Sequence, residues 1–293
     1  MVIMKIECID KKSKLFPDKL KQLEKCPNQI FFQGNKQILS EFSLGVIGSR
    51  NCSVLGKTIA QNISEELAEK DITIISGLAR GVDTIAHKAC VENNSKTIAV
   101  LGGGHNRIYP SENRKLAEDI IQKGGVIISE YPSEYPPLKN NFRERNRIIA
   151  ALSDGIILIE AKKNSGSLIT VKHAEKLNKK IFVVPGRICD EEYEGSNLIL
   201  KNGAFCVRNA SDVIEKYENI KAINKIEKSK NIEIDAELKK VYDSLSFLPQ
   251  TIEDVSLKVK ESVGQITSKI ILLEMSNLIK RVNGEFFVKT KNM

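Results

Sequence analysis

Residues 142–170 read FRERNRIIAALSDGIILIEAKKNSGSLIT. Phe142, Arg143, Arg145 and Arg147 lead into Ile148, Ile149 and Leu152, the pattern of a helix whose buried stripe begins where its charged mouth ends. GIILIE follows, too short for a buried helix and rich in β-branched residues, which predicts a central parallel strand. The turn NSGS then opens a second amphipathic segment, LITVKHAEKL. Strand, small-residue turn and helix start in that order bring backbone N–H groups and hydroxyls to the carboxyl edge of a sheet, where anions bind. The stretch predicts a phosphate-contacting α/β site with cations and an aromatic ring beside it.

On either side of it the same alternation recurs. LGVIGS, ITIISG, TIAVLG, GVIISE, KIFVVP and AFCV are short apolar runs, and most are separated by segments of helical length such as LGKTIAQNISEELAEK and GVDTIAHKACVEN. This spacing predicts βαβ units, hence a doubly wound, mainly parallel sheet with helices on both faces. Residues 1–43 hold only FPDKLKQLEK and the extended piece NQIFFQGN, and read as an N-terminal arm. The α/β domain is expected over 44–218. A charged stretch without a sustained apolar face, 219–235, reads as a linker. Over 236–293, ELKKVYDSL, TIEDVSLKV and VGQITSKIILLEMSNLI give three helical patterns, and KRVNGEFFVK places an Asn-Gly turn between apolar arms. Three helices and a hairpin suggest a winged helix. Its candidate recognition helix is mostly apolar with Lys269 as its only clear basic residue, so partner contact is expected of it ahead of DNA reading.

The chain has 293 residues, 41% of them hydrophobic, enough for a sizeable core, and a net charge of +8 that favours an anionic partner or a solvated lysine-rich face. Its six cysteines form no CxxC pair, which argues for reduced thiols in a cytoplasmic protein and against a zinc ribbon or disulfide framework. The start MVIMKIECIDKK has no sustained apolar segment, and no later run is long enough to span a membrane. A cytoplasmic protein with no membrane partner is expected.

Four further motifs sit at strand ends. In GVIGSRNCSVLG (45–56), Ser49 and Arg50 supply a hydroxyl and a guanidinium suited to a phosphate; pairing of Arg50 with a carboxylate is an equal alternative. In SGLARGVDTIAH (76–87), Arg80 is placed to join Arg50, Asp83 reads as a helix N-terminal charge and His87 as a packing or surface residue. LGGGHNRIYPSEN (101–113) contains His105, which has no His or Cys partner at metal-ligand spacing. SEYPSEYPPLKNNFRERNR (129–147) sets Lys139 three residues before Phe142, the cation-plus-ring pairing that holds single strands; a core-packed Phe142 is the commoner alternative. In NSGSLIT, Ser165 and Ser167 either contact phosphate or simply cap a helix.

The ordered series IGSR, SGLARGVDTIAH, AVLGGG with YPSEN, SEYP, NFRERNRIIAALSDGIILIEA, SGSLIT, VVPG and GSNLILKNGA resembles the DNA-processing protein A family, DprA or Smf, over roughly residues 26–215. The resemblance implies an extended Rossmann-like domain that binds and protects single-stranded DNA, works as a homodimer, and loads a RecA-type recombinase during natural transformation. It carries DNA contact onto Arg50, Lys139 and Phe142 and their neighbouring loops. The candidate DNA-binding set is thus Ser49, Arg50, Arg80, Lys139, Asn141, Phe142, Arg143, Arg145, Asn146, Arg147, Ser165, Gly166 and Ser167. No catalytic residue, metal or cofactor is expected. Asn106 departs from the acidic residue expected after the glycine run, and the helical domain found in front of many relatives has no counterpart in the arm.

Two other readings compete. A phosphoribohydrolase acting on nucleoside monophosphates would share the sheet order, but its PGGxGTxxE turn carries a glutamate where this chain reads NSGSLITVK. Glu160 and Glu130 end strands and are its remaining candidate acids. The third reading is a protein scaffold with an incidental basic edge.

Overall fold

The computed structural model describes residues 5–217, 235–246, 248–276, 278–282 and 286–289, which fall into two compact units divided after Ile220. The linker, except Asp235, and the Asn283-Gly284 turn lie outside the described residues.

In the first unit each of the seven expected apolar runs forms a strand: β3 (Ser43–Ile47), β4 (Thr73–Ser76), β5 (Thr97–Val100), β6 (Val126–Ser129), β7 (Gly155–Leu158), β8 (Lys180–Val183) and β9 (Phe205–Cys206). Two more, β1 (Glu7–Asp10) and β2 (Gln29–Gly34), come from the segment read as an arm. Among the described residues the nine lie in one sheet in the order β1-β2-β6-β5-β4-β3-β7-β8-β9. Pairing is parallel from β6 to β9, whereas β1 and β2 add an antiparallel edge beside β6. That edge belongs to the sheet because Ile30 and Phe32 point into the core; two alternating side chains are too short a pattern to show this beforehand.

Successive side chains of β7 go to opposite faces, as a strand buried on both sides requires. Ile156 and Leu158 join a core with α5 (Lys139–Leu152) and α6 (Ser167–Lys176). Ile157 and Ile159 join another with α2 (Val54–Glu69) and α3 (Val82–Glu92). This is the doubly wound arrangement.

The chain builds outward from β3 through β4, β5 and β6, then returns along α5 to lay β7 on the other side of β3. The order therefore reverses between β3 and β7, where the loops leaving the two carboxyl ends diverge and open a crevice. Gly48, just past β3, is needed there: a Cβ would stand 2.6 Å from Val82 Cγ2 and 3.2 Å from the Glu160 carbonyl oxygen.

The second unit has its own core, including Val241, Tyr242, Val255, Ile266, Ile270, Leu273 and Phe287. It comprises α9 (Ala236–Ser244), α10 (Ile252–Val259), α11 (Val263–Met275) and the antiparallel pair β10 (Ile279–Val282) and β11 (Phe286–Lys289). Thr251 with Asp254, and Ser262 with Gln265, form capping boxes that fix the starts of α10 and α11.

Candidate nucleic-acid interface

Three loops meet at the crevice. In the turn after β3, the Ser49 N–H donates to the Glu160 carbonyl at 2.8 Å, tying this turn to the end of β7. The Val82 N–H donates to the Ser49 carbonyl at 3.2 Å, and Gly81, at φ 72°, lets the next loop press against the Ser49 and Arg50 carbonyls. On the far side, the Asn146 amide of α5 donates to the Gly166 carbonyl at 3.2 Å, holding the serine turn in place. Ser165 and Ser167 hydroxyls lie 2.7 Å apart at the start of α6.

These loops enclose a cleft of about 480 Å³. Ten of the thirteen expected residues line it: Ser49, Arg50, Lys139, Phe142, Arg143, Arg145, Asn146, Ser165, Gly166 and Ser167. The Arg50 guanidinium sits 5.3 Å from the centroid of the Phe142 ring, so the cation and the ring share one side of the molecule. Phe142 is half-buried, its ring lying against Gly102, where a Cβ would come within 2.7 Å, and 5.5 Å from the Tyr109 ring. It neither fills the core nor hangs free. Arg50, Lys139 and Arg143 are exposed and have no carboxylate within ion-pair distance among the described residues.

Other expected residues are engaged differently. Arg145 is buried at the cleft floor, donating to the Gly77 carbonyl at 2.6 Å and to the Val100 carbonyl, so it joins the ends of β4 and β5. Burial pushes its pKa down to about 10 against the pull of Asp83. Asp83 occupies the first turn of α3 and accepts the Gly77 and Ala79 N–H groups at 3.1 and 3.4 Å, a helix N-terminal carboxylate as expected. Burial raises its pKa.

Arg80, Asn141 and Arg147 do not line the cleft. Arg80 forms a two-pronged pair with Glu112 at 3.0 Å on the exposed surface. Arg147 is buried against Glu130 at 2.6 Å, and Asn141 is buried with it in the same helix. Nothing in the residue types marks these arginines apart; only the packing of α5 on the sheet tells inward from outward ones.

The two strand-end glutamates are both occupied. Glu160 is fully buried at the start of α2, accepting the Ser53 N–H at 3.0 Å and the Ser53 hydroxyl at 2.5 Å, and burial raises its pKa. Glu130 is held by Arg147. His105 donates from Nε2 to the Ile127 carbonyl at 3.2 Å, and burial lowers its pKa. No group of three or more His, Cys, Asp or Glu side chains suited to a metal ion occurs among the described residues. The sequence reading missed Asn51, Asn164, Lys162 and Thr170 as cleft residues. All four lie inside the stretches already quoted, so counting every polar residue of each stretch, and not only the hydroxyls and cations beside the turn, would have found them.

Residues 7–218 match the family model described as DNA recombination-mediator protein A. The chain belongs to this family. It is 39% identical over 203 residues to DNA processing protein DprA of Streptococcus pneumoniae, covering 69% of this chain and 71% of that protein. Against protein Smf of Escherichia coli it is 39% identical over 206 residues, 70% of this chain but only 55% of the length of that relative. Among solved structures, S. pneumoniae DprA superposes with a TM-score of 0.69 at 36% identity, covering 74% of this chain and 76% of that one. DNA processing protein A of Helicobacter pylori, described for its single-stranded DNA binding mode, gives 0.66 at 29% identity, covering 76% of this chain and 97% of that one. The large, mainly parallel sheet is thus the one these DNA-processing proteins share. Among the described residues no helix is long and apolar enough to cross a membrane.

Proposed function

We propose that the cleft holds single-stranded DNA without breaking any bond in it. The observation that carries this reading is the stacking of Arg50 on Phe142 beside two further unpaired cations, Lys139 and Arg143. The exposed part of the half-buried ring offers a platform for a base, and every base has a face to stack, so sequence preference is weak. The Ser165–Ser167 turn and the N–H groups opening α6 suit a phosphate, and the cations suit its neighbours. Contact falls to Ser49, Arg50, Lys139, Phe142, Arg143, Asn146, Ser165, Gly166 and Ser167; Arg145, Arg147 and Asn141 shape the site from beneath, and Arg80 contributes once released from Glu112.

Through family membership and the single-strand binding described for the H. pylori relative, we extend the role to protecting incoming strands and loading a RecA-type recombinase, with the protein acting as a homodimer. The second unit is assigned to partner contact as a winged helix. A binding role, as opposed to nucleotide hydrolysis, is supported by the engagement of Glu160 with Ser53 and of Glu130 with Arg147.

The test is oligonucleotide binding, single- and double-stranded, at several salt concentrations. The wild type binds single strands with an affinity that falls as salt rises, and Arg50→Ala with Lys139→Ala abolishes most of it. Unchanged binding by the double variant means the site is elsewhere. Release of free base from a nucleoside monophosphate would establish the hydrolase reading instead.

A further inference from the structure

Tyr109, in the loop LGGGHNRIYPSEN, does not line the cleft, yet its ring centroid stands 5.5 Å from that of Phe142, which does. The ring is 50% exposed. The loop that carries it is fastened on both sides. Ahead of Tyr109, the buried His105 donates to the Ile127 carbonyl at 3.2 Å, and the Gly104 and Asn106 N–H groups donate to the Tyr135 and Ser133 carbonyls at 2.9 and 3.0 Å. Behind it, the buried Asn113 amide donates to the Leu78 carbonyl at 2.9 Å and the Thr84 hydroxyl at 2.8 Å. A large ring held out on an anchored loop has little freedom left to lose when something settles on it, which favours binding there.

The geometry of the ring pair indicates what fits it. A base sandwiched between two rings needs them about 7 Å apart, twice the stacking distance of about 3.4 Å. At 5.5 Å the pair is closed to a base, so each ring is left to receive one on its remaining surface. The two planes differ by 51°, and bases laid on them are inclined to each other in the same way. A flexible single strand reaches that arrangement by unstacking, whereas paired bases in a duplex stay parallel. The charges of the loop are already engaged: Arg107 pairs with Glu134 at 3.2 Å and Glu112 with Arg80 at 3.0 Å. What the loop offers beside the cleft is therefore the ring and not a cation.

We propose that Tyr109 is a second base platform, taking a nucleotide next to the one on Phe142 where the strand leaves the cleft. The inference rests on the strand-binding reading of the cleft and extends it by one step. Two measurements on the full chain test it. In the first, the wild type is irradiated with a single-stranded oligonucleotide carrying 5-iododeoxyuridine at every position, and the cross-linked residues are located by mass spectrometry; adducts form on both Tyr109 and Phe142. In the second, fluorescence anisotropy compares wild type, Tyr109→Phe and Tyr109→Leu. Phenylalanine keeps the aromatic face and holds affinity within about twofold, whereas leucine keeps bulk against Phe142 without that face and weakens binding about fivefold or more. No charge changes, so the salt dependence keeps its slope in both variants. Wild-type affinity in Tyr109→Leu, or adducts on Phe142 with none on Tyr109, overturns the second platform and leaves the cleft reading standing. A wild-type protein that binds no oligonucleotide overturns both.

Discussion

Replacing Phe142 with alanine separates stacking from charge in the proposed strand site. Stacking of a base on an aromatic side chain is worth about 1–3 kcal/mol, which predicts that Phe142→Ala weakens oligonucleotide binding by about 5- to 150-fold. The structure sharpens this in two ways. The ring also carries the Arg50 guanidinium, 5.3 Å from its centroid, so the variant releases that cation from its position and the loss belongs in the upper part of the range. Phe142 removes no charge, however, so the dependence of affinity on salt keeps its slope, whereas Arg50→Ala or Lys139→Ala lowers it by about 0.7 for each phosphate that is no longer neutralised. A companion substitution reaches the ring without touching it. A Cβ at Gly102 would lie 2.7 Å from Phe142 Cδ1, and Gly102→Ala therefore displaces the ring and reproduces part of the loss. The assay is fluorescence anisotropy with a labelled oligothymidylate at several salt concentrations, with thermal melting to show that each variant is folded. A folded Phe142→Ala protein whose affinity stays within about twofold of wild type would falsify the stacking assignment.

Three other outcomes are expected. Glu112→Gln frees Arg80 from its two-pronged partner and strengthens oligonucleotide binding by roughly twofold in the same assay, while Arg80→Ala in the wild-type background changes it little. Arg145→Met leaves the Gly77 and Val100 carbonyls without their donor and Asp83 buried without its nearby cation, a loss of about 3–5 kcal/mol readable by urea denaturation. His87 is fully buried and neutral: the Thr97 hydroxyl donates to the Ile74 carbonyl at 2.8 Å and accepts from His87 Nδ1 at 2.8 Å, and burial, with Arg145 adding to it, pushes the pKa down to about 3. The unfolded chain takes up this proton below about pH 6.5 and the native state does not until about pH 3. Stability is thus lost as pH falls through that window, by up to about 1.4 kcal/mol per pH unit, and His87→Gln flattens this part of a pH-resolved denaturation series.

Local chemistry was enough to read much of this protein. Each apolar run from LGVIGS to KIFVVP becomes a strand, because short β-branched segments between helical patterns have few other ways to bury themselves on both faces, and AFCV adds a two-residue exposed strand at the edge. The caps at Ser53, Thr251 and Ser262 went unread in the sequence although they are equally local, since a hydroxyl three residues ahead of an unpaired N–H needs nothing from the rest of the fold. Tertiary structure alone decided which of the basic residues face solvent. Arg143, Arg145 and Arg147 lie within one helical turn and a half, yet packing of α5 on the sheet sends the first to the cleft mouth, the second to the strand ends and the third to Glu130. The antiparallel edge of β1 and β2 and the meeting of Arg50 with Phe142 are likewise set by strand order, a relation between segments far apart in the chain that no local pattern encodes.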